Sequence, residues 1–87
     1  MPVYAVRRDL PGITMEQLGG AQKAAIETSE RFTAEGKDVR YIRSMYIPSE
    51  DRCTCLFEAP DAERVKAVND TAGIPYTDVK EAMDLTP

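Results

Sequence analysis

The stretch Arg52-Cys53-Thr54-Cys55-Leu56-Phe57-Glu58-Ala59-Pro60-Asp61 decides the fold. Its alternation sets Cys53, Cys55 and Phe57 on one face of a strand and Thr54, Leu56 and Glu58 on the other. Pro60 cannot donate to a ladder and ends the strand, while Asp61 is a short acceptor suited to cap the free N–H groups of a helix. A strand therefore runs directly into a helix. That helix is predicted from about Ala62 to Ala72, with Ala62, Val65, Val68 and Ala72 as its buried edge and Gly73 closing it.

Working upstream, Val39 to Ile47 is the longest strand candidate, rich in β-branched and aromatic residues, and Pro48-Ser49-Glu50-Asp51 turns it back into the cysteine strand. These two strands are expected to be antiparallel neighbours. Strict alternation puts Tyr41, Met45 and Ile47 in one phase and Ile42 and Tyr46 in the other, so both faces carry apolar side chains. Val3 to Arg8 reads as a short strand ending in the turn Asp9-Leu10-Pro11-Gly12.

Thr14 then starts a helix, with Gln17 three residues on completing a capping box and Ile13 and Leu18 at the positions of a hydrophobic staple. Leu18, Ala21, Ala25, Thr28 and Phe32 form its inner stripe, Glu27 and Arg31 can pair one turn apart, and Gly36 ends it. Gly19 and Gly20 each cost about 1 kcal/mol against alanine within a helix, which points to loose local order or to close backbone packing. Downstream, Ile74-Pro75 leads into a last strand from about Tyr76 to Met83. Two strand-helix-strand halves joined by a hairpin predict an α+β, ferredoxin-like split βαβ fold (βαββαβ). It would have an antiparallel four-stranded sheet with two helices on one face, residues 1–87 forming a single domain.

With 87 residues and 43% hydrophobic content, the chain buries only roughly 60 to 65% of its unfolded surface. Helices shield one sheet face, so the second apolar set of Val39 to Ile47 predicts a homodimer built through sheet faces or edges. A net charge of −4 and a pI near 4.7 argue against a phosphate backbone as partner. Arg7 and Arg8 interrupt the first apolar residues, and no run approaches the roughly 18 apolar residues that span a bilayer. The expected partners therefore include neither nucleic acid nor membrane, and the expected address is the cytoplasm.

The chain has no histidine, which removes the commonest general base and the commonest metal ligand. Cys53 and Cys55 lie two apart on one strand face, about 6.7 Å apart along the backbone, too far for a relaxed disulfide. They read as small core residues; a thiolate metal site of Cys53, Cys55 and Glu58 is the sharper alternative, without C-x-x-C spacing to support it. Glu27, Glu30 and Glu35 form a solvated helix face. Glu58 and Glu81, in strands, are the acids available for proton transfer. Arginines concentrate in strands at Arg7, Arg8, Arg40, Arg43 and Arg52, among Tyr4, Tyr41, Tyr46 and Tyr76. Such a set can bind an organic anion by bidentate bonds and stacking, or form cross-strand ion pairs with Glu58 or Glu81. No phosphate loop, metalloprotease helix or nucleophile elbow is present.

Gly12-Ile13-Thr14, Cys55-Leu56, Ala59-Pro60 and Ala72-Gly73-Ile74-Pro75 give the chain, from Val3 to about Leu85, a resemblance to a family of small actinobacterial ferredoxin-like proteins, some described as nickel-binding. The resemblance implies the fold and a dimer. It also implies a site where the first strand, the cysteine strand and the Ala72-Gly73-Ile74-Pro75 loop converge. Positions that carry histidine in nickel-binding members are held here by Arg7, Asn69 and Ile74, leaving Cys55 and nearby carboxylates as ligands. The expected site residues are Arg7, Cys55, Asn69, Ile74 and Tyr41. The function expected from them is binding of a small organic anion by a homodimer, with no cofactor specified. Two alternatives stand beside it: a dimeric α/β-barrel enzyme of isomerase or oxygenase type, and nickel or zinc binding through cysteine and carboxylates.

Overall fold

The computed structural model describes residues 1–87, with elements in the order β1 (Val3–Asp9), α1 (Met15–Ala34), β2 (Arg40–Ile47), a 3-10 turn (Pro48–Glu50), β3 (Arg52–Glu58), α2 (Ala62–Ala72) and β4 (Asp78–Ala82). The strands form one antiparallel sheet in the order β2-β3-β1-β4, the βαββαβ ferredoxin-like arrangement. Alternation in the cysteine strand explains which face is covered. Tyr4, Val6 and Arg8 pair in register with Phe57, Cys55 and Cys53, and all six are buried beneath the helices.

Each helix begins and ends as its local chemistry requires. Thr14 Oγ1 accepts from the Gln17 amide at 3.1 Å while Gln17 Oε1 accepts from the Thr14 amide at 3.0 Å, closing the capping box. Asp61 Oδ1 accepts from the Arg64 amide at 2.8 Å at the head of α2. At its tail Gly73 takes φ 73°, and the amides of Gly73 and Ile74 return to the carbonyls of Asp70 and Asn69, a Schellman stop that turns Ile74 and Pro75 back toward the sheet. A Cβ added at Gly19 or Gly20 meets nothing within 4 Å, so close packing within the chain is not the reason for either glycine.

Three local expectations are corrected. A bulge between Tyr41 and Arg43 inserts one residue into β2, so Tyr41, Ser44 and Tyr46 pair with Phe57, Cys55 and Cys53 on the helix-covered face. Arg40, Arg43, Met45 and Ile47 pair with Glu58, Leu56, Thr54 and Arg52 on the bare face. Tyr41 thus parts from Met45 and Ile47, because one extra residue reverses a period-2 pattern. Glu27 pairs with Lys23 at 3.8 Å rather than with Arg31; both side chains are exposed, so the contact is worth a few tenths of a kcal/mol. The last strand starts at Asp78 rather than Tyr76, since Thr77 first anchors the approach by donating to the Arg7 carbonyl from its amide (2.7 Å) and its Oγ1 (3.0 Å).

Candidate functional site

A cavity of about 150 Å³ lies between α1 and the covered face of the sheet. Leu18, Ala21 and Ala25 of α1, with Leu10 and Ile74 from the loops after β1 and α2, give it a largely apolar wall. Its polar side comes from the strands: Arg8 from β1, Ser44 and Tyr46 from β2, and Cys53 and Cys55 from β3, with Gln22 on the helix side.

Arg8 dominates its electrostatics. Only 2% of the residue is exposed, and its guanidinium is held from behind, Nη2 donating to Asn69 Oδ1 at 2.8 Å and Nη1 to the Pro75 carbonyl at 3.2 Å. Asn69 is fixed in turn by donating Nδ2 to the Val65 carbonyl at 2.9 Å. Both acceptors are neutral, no carboxylate pairs with Arg8, and its Nε has no hydrogen-bond partner. A desolvated cation without a counter-charge costs several kcal/mol. It also sets a strongly positive field in the cavity.

The two thiols form the opposite polar element. Cys53 Sγ and Cys55 Sγ are 3.8 Å apart, and both cysteines are free and buried. Ser44 Oγ donates to Cys55 Sγ at 2.9 Å and bonds to the Tyr41 hydroxyl, which Gln22 Nε2 approaches at 3.0 Å. Burial, reinforced by neighbouring Cys55, pushes the Cys53 thiol up to about 11, so at neutral pH it is protonated.

Of the residues expected from sequence, Cys55 and Ile74 line this cavity and Asn69 stands directly behind Arg8. Tyr41 lies one hydrogen bond further out, its ring edge-on to Phe57 at 5.5 Å. Arg7 is elsewhere: its register partners are Thr54 and Asp78, on the bare face, so the strand alternation that buries Arg8 turns Arg7 away from the site. Among the metal candidates Cys53 lines the cavity, whereas Glu58 lies on the bare face paired with Arg40 at 3.3 Å. Glu81 is exposed and no acid lines the cavity. Sequence reasoning names Arg8 and Tyr46 only within a general arginine–tyrosine set and not among the site residues, and it misses Ser44 and Gln22. The available signal for Arg8 was its phase, shared with Tyr4 and Val6 rather than with Ala5.

A ferredoxin-like domain with an arginine-bearing cavity under its first helix is the class these observations define. Residues 4–81 match the family described as Nickel responsive protein SCO4226-like, and the chain belongs to that family. The crystal structure of SCO4226 from Streptomyces coelicolor A3(2) is similar to it with a TM-score of 0.80 and 24% sequence identity, over 97% of this chain and 99% of that one, a likeness of fold. No curated protein matches the chain.

Proposed function

We propose that the cavity is a receptor for a small organic monoanion with an apolar body, held by Arg8. The observation that carries this reading is the buried guanidinium, braced by Asn69 and Pro75 but matched by no carboxylate, with a buried Nε that has no partner in the protein. A ligand carboxylate would neutralise the charge where its attraction is least screened. Size and lining support an aromatic or short branched acid: apolar cavities of about 150 Å³ are known to hold benzene, and this one measures about 150 Å³. Calorimetric titration with benzoate and a series of short branched carboxylates tests it. Saturable 1:1 binding by wild type that disappears in Arg8→Met supports the reading, and equal heats in both proteins refute it.

Nickel, which the family description brings to mind, does not fit the residues present. No three histidine, cysteine, aspartate or glutamate side chains come together. Both thiols would have to ionise to bind a dication, which burial of Cys53 opposes, and the Arg8 charge in the same cavity repels it.

A homodimer through the bare sheet face is the assembly we infer. Met45 on that face is 60% exposed, beside Ile47 and Leu56, and a stripe of this kind on so small a domain favours a second copy. Three of the arginines around it are neutralised in place, Arg40 by Glu58, Arg43 by Asp84 and Arg52 by Asp9 and Glu50. Arg7, in the same cross-strand row as Met45, has no ion pair and is the charge a second copy would have to accommodate.

A further inference from the structure

The pair of thiols in the cavity wall has no part in anion binding, and its geometry points to a different ligand. We propose that Cys53 and Cys55 form a vicinal dithiol that captures trivalent organoarsenicals by chelation. The inference stands on the sulfurs rather than on Arg8 and does not depend on the anion reading.

Three observations carry it. First, the sulfurs are 3.8 Å apart, far outside the roughly 2.05 Å of a disulfide, and flanking residues of one strand cannot close that gap without moving the backbone. One bridging atom can. Two bonds of about 2.3 Å, the length of a metal–thiolate bond, meeting near the tetrahedral angle span such a gap, and a small side-chain rotation reaches the narrower angle of pyramidal arsenic.

Second, the charge balance selects a neutral electrophile. A divalent ion needs two thiolates, whereas a Cys53 thiol pushed up to about 11 stays protonated, and the cavity already holds the Arg8 cation. A monosubstituted arsenous acid reacts with the thiols as they stand: R–As(OH)2 plus two R′–SH gives R–As(SR′)2 plus two waters. Each As–O bond is replaced by an As–S bond, each thiol proton leaves on a water, and arsenic remains trivalent. Reactants and products are all uncharged, which suits a desolvated site.

Third, the arsenic substituent has a place to go. Cys53 and Cys55 line the same cavity as the apolar side chains of Leu18, Ala25 and Ile74, which can accept a methyl or phenyl group. Ser44 Oγ, which donates to Cys55 Sγ at 2.9 Å, holds that sulfur at the cavity wall.

The test uses phenylarsine oxide on the reduced full-length chain. At one equivalent, intact mass is expected to show one adduct formed with loss of one water, and iodoacetamide added in urea, where both thiols of the untreated protein react, should with peptide mapping find both cysteines blocked. That adduct should survive excess glutathione, a monothiol, and be removed by 2,3-dimercaptopropanol. Cys53→Ala and Cys55→Ala, each checked for folding by circular dichroism, should lose their adducts to glutathione. Capture is read with no carboxylate present, so it tests the thiols alone and its failure is distinct from a failure of the anion site. Because iodoacetamide protection is read on wild type, the result does not depend on the variants folding. Blocking of only one cysteine, or a wild-type adduct removed by glutathione, would overturn the proposal.

Discussion

Arg8 Nη2 donates to Asn69 Oδ1 across 2.8 Å, joining the end of β1 to the last turn of α2 inside the protein. The two residues are 61 apart in sequence, and the contact forms because the Gly73 stop brings the Pro75 carbonyl onto the same guanidinium. The amide satisfies a donor without neutralising the charge. Asn69→Asp would supply the missing counter-ion at nearly constant shape, so the anion site should be filled from within. Affinity for benzoate, measured by calorimetry, is expected to fall at least tenfold, about 1.4 kcal/mol.

Removing the charge separates its two roles. Replacing a buried uncompensated ion by an apolar side chain of similar length is often neutral or stabilising by roughly 1–4 kcal/mol. Arg8→Met is therefore expected to unfold in urea at the same or a higher midpoint while losing ligand binding. Asn69→Ala, which leaves the guanidinium and loses its acceptor, should instead destabilise by about 1–3 kcal/mol. The pair of urea midpoints checks both.

Cys53 gives a stability slope in alkali. Its folded-state value of about 11 exceeds the ordinary 9.0, so between these pH values the unfolded thiol is ionised while the folded one keeps its proton. The contribution is fully present below about pH 9 and lost as pH rises through about 11, at up to about 1.4 kcal/mol per pH unit. Wild type should lose more stability than Cys53→Ala across that window in parallel chemical denaturation series.

The bare and covered faces of β2 respond oppositely to charge. Met45 is 60% exposed on the bare face, so Met45→Glu is expected to leave a folded monomer, seen by analytical ultracentrifugation at tens of micromolar. Tyr46 is half-buried and lines the cavity on the other face, so Tyr46→Glu sets a carboxylate against the core and is expected to lower the urea midpoint without changing the oligomeric state.

Much of the fold is legible in the sequence because its signals are local. The alternation of Cys53, Cys55 and Phe57, the Thr14–Gln17 capping box and the Gly73 stop act within a few residues, and each reappears in the structure. The face assignment of Tyr41 is not legible, since the bulge before Arg43 is set by how β2 fits against β3. The site was half legible for a related reason. Cys55, Asn69 and Ile74 belong to recognisable motifs, but the family position points to Arg7 whereas the strand's own phase, Tyr4, Val6 and Arg8, points to the buried arginine. Gly19 and Gly20 remain unexplained within the chain: with nothing within 4 Å of an added Cβ, Gly20→Ala should raise the urea midpoint by up to about 1 kcal/mol of stability.

The Nε–H of Arg8 reports most directly on the central claim, because it is buried and has no partner in the protein. Titrating benzoate into 15N-labelled wild type and following the arginine Nε–H resonances by NMR should move that of Arg8 downfield and saturably, while benzyl alcohol, the same body without the charge, leaves it in place. An Arg8 resonance unmoved at saturating benzoate, or moved equally by the alcohol, would contradict the account.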